Sequence, residues 1–340
     1  MIYKWESIKM RKPDFENILL ILNREKPKRP TLFEFFMNQK LYEEVSGIKD
    51  PEKIDMARIK TFEKLGYDYT TFHCSFVFQR NERAHDKSVS LNENPTISDK
   101  KSFEEYPWPD AEKFDYSKLE KIAPEIPDGM KLIVPGPGGV LENVISLVGF
   151  DNLCFMQLDE PELMKNICDA VGSRLLKHYE IVSAFDTVGA LISNDDWGFK
   201  TQTMLGPALM REYIIPWHIK IAEAAHKAGK PVILHSCGNL AELMDDIVNV
   251  IKYDGKHSYE DNIKPVEEAY EELCGKIAVM GGIDLDFICR STPEQVYERS
   301  KAMLKRSSER GAYALGSGNS IPEYVPVKNY YAMISAVKDS

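Results

Sequence analysis

Short apolar runs alternate with helical stretches along the whole chain, and that alternation is what most limits its fold. Strands are expected at residues 30–36, 67–73, 131–134, 188–194, 231–235, 250–257, 276–282 and 312–316. Helical spacing is clearest between them, as with Leu163, Ile167, Val171 and Leu175, in a helix expected over 161–185. Other helices are expected at 13–23, 51–65, 207–227 and 327–337, with Gly66 and Gly229 at helix-stop positions. Strands that alternate with helices must pair in parallel, because each link has to cross from one end of the sheet to the other. Eight such units predict a closed (β/α)8 TIM barrel; an open doubly wound sheet is the alternative. One domain is expected over residues 1–340, with an N-terminal helical extension and an insert at 79–121. That insert is polar, carries Pro95, Pro107 and Pro109, and reads as a lid or binding loop.

Bulk properties exclude several function classes. A length of 340 residues with 43% hydrophobic and 28% charged residues is that of a soluble globular protein. A net charge of −10 argues against nucleic-acid binding, which needs a basic surface. Residues 1–12 mix Lys, Glu and Arg, unlike a secretory signal, and no apolar run is long enough for a membrane span. The six cysteines (74, 154, 168, 237, 274, 289) show no tight pairing pattern, so a cytoplasmic protein with free thiols is expected.

In a barrel of this kind the chemistry lies where strands end. Those ends carry Glu34, His73 beside Cys74, the turn 135–139, Asn194-Asp195-Asp196-Trp197, His235-Ser236-Cys237-Gly238, His257, Gly281 to Asp284, and Gly316 to Asn319. His235 and Cys237 are two apart in extended chain, so both side chains project to one side. An imidazole and a thiolate so placed are half of a tetrahedral zinc site, and the soft sulfur favours zinc over magnesium or calcium. The plainer alternative is a core histidine and a buried thiol. Asp195 and Asp196 are candidate ligands, general bases or hydroxyl anchors, with helix capping as the plain alternative. His257 is a candidate catalytic group. Asn194, Trp197, Asn319, Glu34 and His73 are candidate substrate-binding residues, although only one of His73 and Cys74 can face the axis. Aromatics such as Phe33, Phe35, Phe36, Tyr67, Phe72 and Trp197 line a pocket or simply fill the core.

Several stretches carry a family resemblance. Asp195-Asp196-Trp197-Gly198, Gly206-Pro207 to Pro216, Ala225 to Leu240, Gly281-Gly282-Ile283-Asp284 and Tyr313 to Pro322 resemble the uroporphyrinogen decarboxylase superfamily. Within it they are most similar to the cobalamin-dependent methyltransferase branch, from about residue 130 onwards. The resemblance implies a (β/α)8 barrel, a zinc ion bound by the His-x-Cys pair, here His235 and Cys237, and cobalamin supplied by a separate corrinoid protein. It implies a third ligand, a cysteine, after the last strand, but Asn319 occupies that position. Then either His257, Glu260 or an aspartate of the 195–196 pair completes the shell, or the metal is weak or absent. Decarboxylases of the family carry an Arg-Gln-x-Gly-Arg stretch after the first strand; residues 33–40 have no arginine and an acid instead. The expected activity is therefore zinc-assisted methyl transfer between a small methylated substrate, such as a methyl ether, and the cobalt of a partner corrinoid protein. A metal-independent lyase and a non-catalytic binding protein are the rivals.

Overall fold

A computed structural model describes residues 11–81, 91–92 and 94–338. Seven strands stand side by side in chain order: β1 (Tyr69–Thr71), β2 (Lys131–Pro135), β3 (Val188–Asn194), β4 (Val232–His235), β5 (Gly255–His257), β6 (Ala278–Met280) and β7 (Tyr313–Ala314). Every neighbouring pair is parallel. The strands are buried on both faces; in β3 all residues but the terminal Asn194 are buried. That explains why β2, β3, β4 and β6 read in sequence as largely continuous apolar runs rather than alternating ones.

The eight strands expected from sequence become seven. Residues 30–36 lie along β7, with Phe33 N donating to Leu315 O and Leu315 N to Thr31 O, but they form only isolated bridges. On the β1 side a side chain replaces the backbone ladder. The Tyr69 hydroxyl takes both the N–H and the carbonyl of Glu34, each at 2.6 Å. The 250–257 run also shortens. Asp246–Ile251 winds into a wide helical turn with Ile247 and Ile251 buried at a four-residue spacing, and the strand begins only at Gly255.

Helices pack outside the sheet. The helix Pro161–Ser183 opens on a proline, whose missing N–H is not needed at a first turn, and buries Ile167, Val171, Leu175 and Tyr179. Gly172 lets the helix Ile215–Lys227 come close, since a Cβ there would meet the Trp217 ring at 2.2 Å. The expected helix 207–227 is not uniform. Pro216 has no N–H to donate, and the turn before it, Met210–Ile214, widens to π geometry. The N-terminal helix Glu16–Leu22 covers the end where strands begin, with Phe15 against Gly189 and Leu22 against Gly255.

Part of the 79–121 insert, residues 82–90 and 93, lies outside the described residues. The rest holds the short helices Lys100–Glu105 and Lys118–Lys121. It is fastened to the long helix by Arg174, whose guanidinium lies 4.8 Å from the Trp108 ring and donates to Pro109 O. Among the described residues no helix is long and apolar enough to cross a membrane.

Candidate metal centre

Register brings the polar strand ends together. Asn194 pairs with His235, and His235 with His257, so three adjacent strands end in one row. Beyond that row the loops after β3 and β4 interlock through two glycines. Gly238 has φ +86°, and a Cβ on it would fall 2.1 Å from Gly198 O. This contact sets Asp196 against the β4 loop, where its Oδ1 accepts from Cys237 N at 2.8 Å. One ligating atom each of Asp196, His235 and Cys237 then lies within 4.8 Å of the others. The sulfur is 4.0 Å from His235 Nε2.

Hydrogen bonds behind His235 determine which nitrogen it offers. His257 Nε2–H donates to Ser317 O at 3.2 Å, which leaves its Nδ1 as an acceptor. His235 Nδ1 lies 2.8 Å from that acceptor and so carries a proton. The neutral imidazole has only one protonated nitrogen, and the Nε2 lone pair faces Cys237 and Asp196. Metal-bound histidines are usually held this way, with the other N–H engaged. The relay ends on Glu34, which is fully buried and accepts from Ser317 N and Oγ, both at 2.7 Å.

Electrostatics shows what the three groups lack. Burial, then His257 and Lys256, hold His235 well below the usual histidine range. Burial, then Asp196, push the Cys237 thiol far up, and burial raises Asp196 against the pull of the Cys237 N–H. His235 thus stays neutral with a lone pair to offer, and the two acids resist ionising for want of a counter-charge, which a divalent cation would supply.

The other candidate residues are placed as follows. Asn319 donates through Nδ2 to Cys237 Sγ at 3.2 Å, so it touches the sulfur without adding a second one. Asp195 is turned away from the cluster. Its oxygens accept from Leu141 N and Glu142 N, at the start of the helix Val140–Val148, and one lies 2.9 Å from His218 Nε2. His257 and Glu34 stand behind His235 rather than in the triad. Trp197 is fully buried with its ring 4.8 Å from His218, and its Nε1, like Asn194 Oδ1, has no hydrogen-bond partner among the described residues. His73 faces solvent past the end of β1. Glu260 is not among the three clustered groups.

Sequence reasoning missed Glu142 and Lys256. Burial, then Asp195 and Asp196, raise Glu142 to about 8. Lys256 is buried beside His257, and its place within an expected barrel strand was the signal for it.

The model of the family "Uroporphyrinogen decarboxylase (URO-D)" matches residues 49–340. A methylated-thiol–coenzyme M methyltransferase of Methanosarcina mazei is 21% identical over 214 residues, which are 63% of this chain and 54% of that protein. A uroporphyrinogen decarboxylase of Anaeromyxobacter dehalogenans is 28% identical over 134 residues, 38% of this chain and 35% of its own length. The chain thus spans about half, or less, of the length of these curated relatives. Among solved structures, a methyltransferase from Methanosarcina mazei superposes with a TM-score of 0.73 at 14% identity, covering 95% of this chain and 97% of that one. With most of its length matched by the family model and its strand ends gathered into one polar row, this chain belongs to the uroporphyrinogen decarboxylase family.

Proposed function

We propose that the protein is a zinc-assisted methyltransferase that moves a methyl group between a small methyl ether and the cobalt of a separate corrinoid protein. The observation that carries this reading is the oxygen, nitrogen and sulfur triad of Asp196, His235 and Cys237, backed by His257. The donor set fits zinc: a thiol and an imidazole with its lone pair turned inward, plus a carboxylate where the family's second cysteine is replaced by Asn319. When bound, the cation supplies Lewis acidity to the atom that gives up or takes the methyl group.

The chain's own groups have separate tasks in this reading. Cys237 gives up its proton on loading, and Asp196 ligates as a carboxylate. The Asn319 amide donates to the Cys237 sulfur and moderates its basicity. Glu142, raised to about 8, stays protonated at neutral pH and serves as a proton source for a departing oxyanion. Residues 30–36 act as the eighth stave, so that the centre lies at the C-terminal mouth of a (β/α)8 barrel. The corrinoid partner docks over that mouth and excludes water, in the cytoplasm, where the six free cysteines stay reduced.

The test joins elemental analysis to a donor screen. Purified protein should hold about one equivalent of zinc, lost in Cys237→Ala, and should methylate cob(I)alamin from methoxylated donors. Zinc-loaded protein that transfers from no methyl ether, methylamine or methyl thioether would overturn the reading.

A further inference from the structure

A cleft opens beside the metal centre, between the loop after β4 and the helix Val266–Leu273. Its mainly apolar walls include Gly238, Leu240, Met244, Lys256, Tyr259 and Leu273, and it holds about 570 Å³ of space, part of it open to solvent. Its apolar walls suit the body of a small organic molecule.

One wall group is out of keeping with the rest. Lys256 is only 5% exposed. Its ammonium donates to Ser258 O at 2.6 Å and lies 4.4 Å from the centre of the Tyr259 ring. An ammonium has three N–H donors, and among the described residues no carboxylate pairs with this one. Burying such a charge without a counter-charge is unfavourable, and burial pulls Lys256 down to about 8, still mostly protonated at neutral pH. Asp196 and Glu260 act on it through space without pairing with it. At the rim, Glu272 is already paired with Lys264 at 2.5 Å. One buried cation flanked by carboxylates accommodates a single negative charge and opposes a second.

We propose that this cleft binds a small monoanionic organic acid, its apolar body against Leu240, Met244 and Leu273 and its carboxylate on Lys256. The site needs neither metal nor methyl transfer, so it stands or falls separately from the proposed activity.

Calorimetric titration of the full chain with benzoate and butyrate, beside benzamide and butyramide, tests it. The acids should bind about tenfold or more tightly than the amides, the gain expected of a hydrogen bond to a charged group. Lys256→Met should remove that preference without lowering the melting temperature, because an apolar isostere replaces a buried charge. Met244→Trp should fill the cleft and weaken benzoate binding with Lys256 in place. Chelator-treated protein should bind benzoate as well as the untreated protein. Equal affinity for acids and amides, no heat from either acid, unchanged binding in Lys256→Met, or binding lost with the metal would each overturn the proposal.

Discussion

His257 does not belong to the ligand triad, yet it decides which nitrogen His235 presents. Its Nδ1 is kept as an acceptor by the Ser317 carbonyl, and His235 must then donate through Nδ1. His257→Phe removes that acceptor and frees the ring to take the wrong tautomer. Zinc affinity should fall roughly 10–100-fold, as for other groups that orient a metal ligand, and His257→Gln, with an oxygen to accept and an amide to donate, should recover much of it. Competition with a chromophoric chelator measures the effect, and the cobalt(II)-substituted spectrum shows whether the ligand field has changed. Wild-type affinity in His257→Phe would remove the orienting role. Asn319→Cys makes the opposite change, placing a second sulfur where an amide nitrogen now lies 3.2 Å from Cys237 Sγ. Under reducing conditions it should bind zinc more tightly than the wild type. The His235–Cys237 pair was legible from two-residue spacing at a strand end. The difference between Asp195 and Asp196 was not, because adjacent loop residues point where their own contacts send them. Asp195 caps a helix from the β2 side, and only Asp196 meets the β4 loop.

At the scale of elements, the centre exists because two loops fit together and a tyrosine stands in for a strand. Gly238→Ala puts a Cβ into the Gly198 carbonyl at a positive φ that side chains rarely adopt. It should cost about 2–4 kcal/mol in chemical denaturation and abolish zinc binding, since Asp196 and Cys237 are brought together by that contact. A zinc-binding Gly238→Ala of unchanged stability would show that the interlock is dispensable. The helices and inner strands were legible because their apolar spacing records burial directly: Pro161–Ser183 begins at the expected proline, and β2, β3 and β4 fall inside or within a residue of their expected runs. The run at 30–36 misled for a physical reason. Residues 31–35 are as buried as a strand's, but the ladder partner on the β1 side is the Tyr69 hydroxyl, and apolar patterning cannot reveal a side chain that replaces a backbone.

For the molecule as a whole, buried acids couple folding to pH. Glu34 is fully buried and burial raises it to about 8, partly offset by its bonds from Ser317. A carboxyl raised on folding binds its proton more tightly in the native state. Its contribution is fully present below the unfolded value near 4.5 and is lost as pH rises towards 8. The stability difference between wild type and Glu34→Gln should therefore change by on the order of a few kcal/mol across that window, with the wild type losing ground as pH rises. Melting curves at intervals between those pH values measure it, and parallel curves for the two proteins would show Glu34 to be charged at no cost. Glu142, also raised to about 8, adds a trend of the same sign.

By itself the sequence determined the layered α/β architecture and the parallel direction of the strands. It also determined that polar groups would collect where the strands end. Burial and chain connectivity act along the chain, so periodicity records them. Tertiary structure alone decided that seven strands form the ladder, that Asp196 and not Asp195 joins His235 and Cys237, and that His257 stands behind them on Ser317 and Glu34. Those outcomes depend on register between strands and on contacts between residues as far apart as Glu34 and Ser317. No local pattern encodes such distances; they are set when the sheet curves and its loops meet.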